Sequence, residues 1–491
     1  MPHFLRHDKM PDVTEVLNYI GGAWQRSESD KVGQRENPAC VRDTVAAYQL
    51  STADEARRAI AAAEAALPAW RDTPAPERGK LVQKAAQIVE SRRQELAETL
   101  TREEGKILPE ALGEIDRSLA NMYFAAGQGT RLYGRGIPSA SGDTLIFTQR
   151  VPLGVTAIIT PWNFPFAIPA WKTSHALVCG NTLVFKPSSL TPLCAQLLVQ
   201  CYEQAGIPSG VINLVTGGGG SVGAALIADP RLKGVSFTGS NAVGRRLYAE
   251  AATHLCRVQL EMGGKNPVIV LDDADLERAA AAIADGAFGS TGQRCTCTSR
   301  AVVQRRVAKG LTEAVAEQAG KIRIGDGLQP GVTMGPLVDD KQRQTVRSYV
   351  DRGISEGARV VFQGEADGLD QGYFVPPVIF DQVKPGMAIH QEEIFGPVLA
   401  VAEVDDFDEA IRVANHVDYG LSSSVYTRDL GRALEYIRKS EAGMLHVNIP
   451  TLGGEGHVPF GGLKGSSLGE KECGPAAMDF FSEEQIIYAR P

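Results

Sequence analysis

The chain has 491 residues, 43% of them hydrophobic and 22% charged, with a formal net charge of −8. That length exceeds what a single hydrophobic core fills, so two or more domains are expected. The composition is that of a soluble globular protein, the acidic balance argues against a nucleic-acid-binding surface, and the longest apolar stretch, Val155 to Trp171, is broken by Pro161, Asn163, Pro165 and Pro169 and cannot span a membrane.

The first residues, MPHFLRHDKMPDV, hold no apolar segment of signal type, which leaves the cytoplasm as the expected location. Tyr19 to Trp24 reads as a hairpin turning on Gly21-Gly22. Thr52 followed three residues later by Glu55 predicts a capping box opening an alanine-rich helix to Ala66. Further helices are predicted over 76–99, 100–105 and 109–126. On the last, Glu110, Glu114, Arg117 and Asn121 recur at helical spacing and share a face. Residues 137–152 read as polar strand interrupted by turn residues Ser139 to Gly142.

From 153 the pattern becomes strand, helix, strand, helix. Short apolar runs at Val155–Thr160, Thr182–Lys186, Val211–Val215 and Gly234–Phe237 predict a parallel sheet covered by helices. A second series follows, with strands at Pro267–Leu271, Ala301–Gln304, Arg359–Phe362, Val398–Val404 and Ser422–Tyr426 and helices at 276–288, 307–319, 339–356 and 407–415. The break near 260 is the expected domain boundary.

Eight cysteines, at 40, 179, 194, 201, 256, 295, 297 and 473, form no metal-type pair, and the eight histidines do not gather near them. Neither structural disulfides nor a metal site is expected. One cysteine has a different setting. Cys295 ends the run Gly289-Ser290-Thr291-Gly292-Gln293-Arg294 after an apolar helix, with a cation beside it in sequence, and positive neighbours favour the nucleophilic thiolate. Glu261 closes an apolar strand and opens the turn Met262-Gly263-Gly264, a placement that aims a carboxylate into a cleft. Asn163 lies between aromatics and prolines in Thr160-Pro161-Trp162-Asn163-Phe164-Pro165. Singly, each has an ordinary explanation as a small buried thiol, a turn acid or a loop amide. Together they suit chemistry at a carbonyl carbon: a thiolate attacks, an amide holds the oxyanion, and a carboxylate activates water. Cys297, two residues from Cys295, either packs or forms a strained oxidative bridge to it.

Two glycine patterns compete for a dinucleotide. Gly218, Gly220 and Gly223 fit G-x-G-x-x-G after a strand, yet no acidic residue stands near 243 to hold a ribose, so a flexible turn explains them as well. Phe237-Thr238-Gly239-Ser240-Asn241-Ala242-Val243-Gly244 follows a strand and opens a helix, which presents free N–H groups to a pyrophosphate.

PWNFP at 161–165, FTGS at 237–240, LEMGGKNP at 260–267, GQRC at 292–295, EEIFGPV at 392–398 and PFGG at 459–462 stand in the order found in the aldehyde dehydrogenase superfamily, which the chain resembles over nearly its whole length. RVPLGV at 150–155, TGSN at 238–241 and CTCTSR at 295–300 make it similar to the bacterial α-ketoglutarate-semialdehyde (2,5-dioxovalerate) dehydrogenases within that superfamily. The resemblance implies an α/β fold with a Rossmann-type cofactor domain over residues 10–136 and 153–259, an α/β catalytic domain over 260–450, and a small β oligomerisation arm over 137–152 and 480–491 that serves a homodimer or homotetramer. It implies catalysis by Cys295, Glu261 and Asn163. It implies cofactor contacts from Thr160, Pro161, Trp162, Lys186, Ser188, Ser189, Gly217, Phe237, Gly239, Ser240, Gly244, Glu393 and Phe395. Relatives that prefer NAD often carry Glu at the Ser189 position, so serine there favours NADP, with NAD possible. Relatives that acylate CoA typically lack the acid at Glu261, so its presence implies hydrolysis.

For the substrate, Trp171 and Gly289 occupy positions where some semialdehyde dehydrogenases carry an anion-binding Arg. Arg117 and Arg294 are the remaining cations, beside apolar walls from Phe164, Trp171 and Phe460. Arg117 either binds an anion or pairs with Glu114 on a solvated face; Arg294 either binds an anion or supports its loop. The expected substrate is α-ketoglutarate semialdehyde, then succinic or another acidic semialdehyde, then a general aliphatic or aromatic aldehyde. A non-catalytic structural protein on the same fold is the remote alternative.

Overall fold

The capping box forms as its spacing predicts: Glu55 N–H donates to Thr52 Oγ1 at 3.3 Å and Thr52 N–H to Glu55 Oε2 at 2.8 Å. The helix it opens, Ala53–Asp72, continues past Ala66 and carries Pro68 within it. This computed structural model describes residues 13–490. Most of the N-terminal segment read for a signal, the first three residues of the expected cofactor domain and the last residue of the expected arm therefore lie outside the described residues.

Two sheets organise the chain. In the first, Arg257–Glu261, Leu232–Thr238, Val155–Ile159, Thr182–Lys186 and Ile212–Leu214 run parallel in that spatial order. The hairpin Asn18–Ile20 and Ala23–Gln25 adds antiparallel to one edge, turning on Gly21 (φ 64°) and Gly22 (φ 91°), and Ser467–Leu468 adds antiparallel to the other. Chain order reverses between Val155–Ile159 and Leu232–Thr238. Ligands of open α/β sheets bind in the crevice beyond the carboxyl ends of strands at such a switch point. Here that point is Thr160 and Thr238-Gly239-Ser240.

The second sheet has the order Arg359–Gln363, Val378–Asp381, Val398–Val404, Thr298–Gln304, Asn266–Val270, Ser422–Tyr426, Met444–Val447, parallel except at the Arg359 edge. The strand Arg257–Glu261 ends the first series and Asn266 begins the second, so the carboxyl ends of one sheet face the amino ends of the other across Met262–Lys265. A third, antiparallel sheet joins Leu145–Pro152 to Gly136–Ile137 and to Ser482–Ala489, the last pairing running from Ser482↔Pro152 to Ala489↔Leu145. A fourth sheet, Thr14–Val16, Cys40–Gln49 and Val32–Asn37, has no counterpart in the sequence reading. Among the described residues no helix is long and apolar enough to cross a membrane.

Candidate active site

Cys295 follows the predicted helix Leu276–Phe288 after a short turn, Gly289–Gly292. Three successive residues of that turn are left-handed: Ser290 (φ 48°), Thr291 (φ 55°) and Gly292 (φ 69°). A non-glycine residue pays strain there, so the turn must be held from outside. Glu110 accepts from Ser290 N–H at 2.6 Å and from Arg294 at 3.0 Å, and Arg294 Nε donates to Ser290 Oγ at 2.9 Å. At Gly292 a Cβ would lie 2.2 Å from the Gly396 carbonyl, so only glycine fits. Asn266 Nδ2 ties the far side, donating to the carbonyls of Cys295 (2.8 Å) and Cys297 (2.9 Å).

Cys295 opens on a pocket of about 260 Å³ lined by Glu110, Glu114, Arg117, Phe164, Trp171, Glu261, Arg294, Phe460 and Glu472 among others. Burial raises its thiol to about 12, helped by Glu393, while Arg117 pulls the other way. Sequence adjacency misassigned this cation: Arg294 turns to Glu110, and the charge that lowers the Cys295 thiol is Arg117. Glu261 is buried; Ser467 Oγ donates to its Oε2 at 2.6 Å, while its Oε1 has no partner among the described residues. Burial, reinforced by Glu472, raises Glu261 well above the usual carboxylate range. Glu472 in turn pairs with Lys172 and accepts from Trp171 Nε1 (2.8 Å) and Thr238 Oγ1 (3.2 Å). Asn163 is buried and is not among the pocket-lining residues; its Nδ2 donates to the Gln293 carbonyl at 3.0 Å, leaving a second N–H. The Cys295 N–H has no protein acceptor among the described residues.

The helix Leu108–Gln128 brings Glu110, Glu114 and Arg117 to the pocket, whereas Asn121 donates back to the Arg117 carbonyl at 3.0 Å. Arg117 and Glu114 do not pair; Glu114 is taken by Lys106. Arg117 faces no carboxylate within ion-pair distance among the described residues. Its guanidinium stands 5.3 Å from the Trp171 ring and 5.7 Å from the Phe460 ring, its Nη2 reaches the Gly453 carbonyl at 3.5 Å, its Nε has no partner among the described residues, and a Cβ at Gly454 would lie 2.0 Å from Nη2. Cys297 is outside this pocket: its thiol donates to the Ala287 carbonyl at 3.6 Å, and all eight cysteines are free. A bridge to Cys295 would first have to break that contact.

Of the residues expected to hold a dinucleotide, Thr160 and residues 237–244 stand at the switch point, residues 186–189 and Gly217 end or follow the next two strands, and Glu393 and Phe395 reach Gly264 and Trp162. Ser240 caps the helix Asn241–Ala252 without a side-chain hydrogen bond, leaving first-turn N–H groups open. Gly239 and Gly244 keep the turn close to its neighbours: a Cβ would lie 2.6 Å from the Phe237 ring and 2.5 Å from the Met262 sulfur respectively, so either side chain would have to shift. Among the described residues Thr160 Oγ1 is buried without a partner and Lys186 Nζ has only the Pro187 carbonyl (3.0 Å), burial lowering it to about 8. Ser189 Oγ donates to the Gly217 carbonyl at 3.3 Å, Gly217 being left-handed (φ 136°), and Ser188 Oγ accepts from Leu190 N–H at 3.2 Å. Phe395, itself left-handed (φ 58°), meets Trp162, beside Pro161, edge-on at 5.3 Å. Glu393 accepts from Gly264 N–H at 2.9 Å, and burial raises it to about 7. Gly218, Gly220 and Gly223 instead belong to a short helical stretch, Gly219–Gly223, and its preceding residue. These orphaned donors fit a nicotinamide dinucleotide. Sequence reasoning gave no role to Lys106, Asn266, Ser467 or Glu472; Asn266 stands inside the motif LEMGGKNP, which was the available signal for it, and the other three carry none.

Residues 24–487 match the aldehyde dehydrogenase family. The chain belongs to that family and is an NAD(P)-dependent aldehyde dehydrogenase. It is 47% identical to the α-ketoglutaric semialdehyde dehydrogenase of Bacillus subtilis, over 98% of this chain and all of that one. It is 39% identical to malonate-semialdehyde dehydrogenase 1 of Geobacillus thermodenitrificans, over 97% and 99%. Among solved structures it is similar to an NAD-dependent aldehyde dehydrogenase from Sinorhizobium meliloti (TM-score 0.94, 36% identity, 97% and 95% covered). It is equally similar to an NADP-dependent enzyme from E. coli (TM-score 0.94, 36% identity, 98% and 100% covered).

Proposed function

We propose that the enzyme oxidises an aldehyde bearing a distal carboxylate, α-ketoglutarate semialdehyde to 2-oxoglutarate, by way of a thioester on Cys295. The observation that carries this reading is Arg117: a guanidinium without a carboxylate partner among the described residues, set against two adjacent aromatic rings in the pocket that holds Cys295. A charge so placed gains most from a substrate carboxylate, because ion pairing with Arg is strong where water is excluded. Arg294 already has Glu110, which gives it a supporting part. The likeness to the Bacillus subtilis enzyme supports the five-carbon semialdehyde; the Geobacillus relative supports malonate semialdehyde as the second reading.

In this mechanism the Cys295 thiol gives up its proton to solvent and the sulfur attacks the aldehyde carbon. The second N–H of Asn163 and the Cys295 N–H hold the oxyanion. The bound coenzyme supplies a hydride acceptor; what remains on Cys295 once the carbon is oxidised is a thioester. Glu261, made a stronger base by burial, takes a proton from water, and the hydroxyl displaces the thiolate. Thr160, Lys186, Ser188, Ser189, Ser240, Glu393 and Phe395 would hold the coenzyme. The serine hydroxyl at 189, with Lys186 nearby, supports NADP with NAD accepted. Ser189→Glu should then weaken NADP more than NAD.

We also infer the domain division at 260, with the cofactor residues Thr160, Lys186, Ser188, Ser189 and Ser240 at the ends of the first sheet's strands and Cys295 just before a strand of the second, alongside Glu393 and Phe395. Exposed Ile137, Leu145, Ile486 and Tyr488 on the three-stranded sheet support a homodimer or homotetramer through that arm. Eight free thiols suit a reducing compartment and support the cytoplasm. The test of the substrate reading is kinetic: Arg117→Ala should raise KM for the acidic semialdehydes far more than for a neutral aldehyde of equal length, and a parent enzyme that prefers the neutral aldehyde refutes it. Comparing malonate with α-ketoglutarate semialdehyde decides between the two acids.

A further inference from the structure

We propose that Lys106 and Glu114 form a buried strut that sets the oxyanion-binding amide of Asn163, which makes Lys106 a positioning residue for chemistry at the carbonyl. The proposal rests on the reading of Asn163 given above. Lys106 is fully buried. Its Nζ donates to Glu114 Oε2 at 2.7 Å and to the Asn163 carbonyl at 2.7 Å, and it stands 4.2 Å from the centroid of the Phe164 ring. The other oxygen of Glu114 accepts from the N–H groups of Phe166 (2.9 Å) and Ala167 (3.0 Å). One ion pair thus grips the turn at Asn163 and again where the helix Ala167–Cys179 begins.

A lysine needed only to balance charge would find its partners among carboxylates, and two are within reach: Glu114, and Glu104 at 3.9 Å. This ammonium instead gives one of its three donors to the carbonyl of Asn163. The Asn163 side chain is held independently by the Gln293 carbonyl at 3.0 Å, in the loop that ends at Cys295. With the carbonyl fixed on one side and one amide hydrogen on the other, the remaining amide hydrogen has one direction. Neither Lys106 nor Glu114 has contact with the Cys295 thiol as its task, so loss of the strut should affect the oxyanion and spare the nucleophile.

Two reagents separate these effects without coenzyme. p-Nitrophenyl acetate acetylates Cys295, with p-nitrophenolate leaving and the thiol proton going to solvent, and it passes through an oxyanion. Iodoacetamide alkylates the same sulfur by displacing iodide at a saturated carbon, with no oxyanion. Lys106→Met should slow acetylation about tenfold to hundredfold, the scale on which misplaced or missing oxyanion donors act, while alkylation stays within about twofold; Lys106→Arg should recover part of the loss. Added to Asn163→Ala, Lys106→Met should slow acetylation by less than about threefold more, because both act through one amide. If Lys106→Met fails to fold, Lys106→Met with Glu104→Gln and Glu114→Gln leaves neither of its carboxylate partners charged and carries the same comparison. Acetylation within about threefold of the parent, or parallel loss of acetylation and alkylation, overturns the strut. Asn163→Ala that leaves acetylation unchanged overturns the oxyanion reading and the strut with it, whereas selective loss in Asn163→Ala alone overturns only the strut.

Discussion

Ser467→Ala tests how the base is held. Ser467 Oγ donates to Glu261 Oε2 at 2.6 Å, and it also accepts from Gly462 N–H at 2.6 Å. Burial and the nearby Glu472 already favour protonated Glu261, and the serine hydroxyl opposes them by bonding to the ionised form. A hydrogen bond to a charged group contributes about 1.5–3 kcal/mol, and about 1.4 kcal/mol is tenfold in an equilibrium. Removing the hydroxyl should therefore lower the ionisation constant of Glu261 by about tenfold to hundredfold. The sign follows: with the ionised form less stable, a higher pH is needed to generate the base, so the alkaline rise of thioester hydrolysis moves to higher pH. Formation of the thioester needs no Glu261 carboxylate and should keep its rate. The assay is a single-turnover experiment over a pH series, reading thioester formation as reduced coenzyme and its decay by quenched mass spectrometry. A hydrolysis profile that coincides with the parent's, or an equal fall in both steps, refutes the assignment.

Gly461→Ala should nearly abolish steady-state turnover with thioester accumulating, because a Cβ there would lie 2.4 Å from Glu261 Oε1 at a backbone φ of 155°; normal turnover would show that the carboxylate works from elsewhere. Without coenzyme, alkylation of Cys295 by iodoacetamide should rise about tenfold per pH unit across neutral and mildly alkaline pH. This follows because burial holds the thiol at about 12, so the thiolate fraction grows throughout that range; a plateau near neutrality would refute it. Cys297→Ala should lose activity to peroxide at the parent's rate, since the Cys297 thiol bonds to the Ala287 carbonyl; protection by the substitution, or a bridged species by mass spectrometry, would reverse that conclusion.

Elements carried by strong local pattern were legible. The strands Thr182–Lys186, Val398–Val404 and Ser422–Tyr426 and the helices Leu276–Phe288 and Phe407–Asn415 fall where their apolar runs end. The predicted helices over 76–99 and 100–105 are Ala75–Ser91 and Arg93–Glu104, so the break falls earlier than expected, at Arg92 (ψ 12°), where no glycine or proline marks it. Met444–Val447 went unread because it is an edge strand whose residues are only half-buried, so alternation is weak. In the site, spacing put Arg117 on the right face but could not say whether Glu114 would pair with it. The answer depends on Lys106, which precedes the helix and is drawn in by the Asn163 carbonyl. Glu472 and Ser467 lie more than two hundred residues from the groups they serve, and that kind of pairing leaves no local trace.

Arg117 stands in two relations that oppose each other, and the opposition explains why the rest of the site is built as it is. In the empty pocket its charge lowers the Cys295 thiol against burial and the three acids Glu393, Glu261 and Glu472. A substrate carboxylate that pairs with the guanidinium screens that charge, so binding an acid weakens the help given to the nucleophile at the moment it is required. Lys172 cannot replace Arg117, because Glu472 already holds it. Arg294 cannot either, because Glu110 holds it to keep the left-handed turn of the nucleophile loop in place. What remains to favour attack is stabilisation of the charge after it has moved from sulfur to the aldehyde oxygen, and that falls to neutral donors whose strength a bound anion does not screen: the Cys295 N–H and the Asn163 amide. On the proposed reading, an enzyme that recognises its substrate by a negative charge close to its own nucleophile would depend correspondingly more on the placement of those donors, which is where the buried Lys106–Glu114 pair is proposed to act.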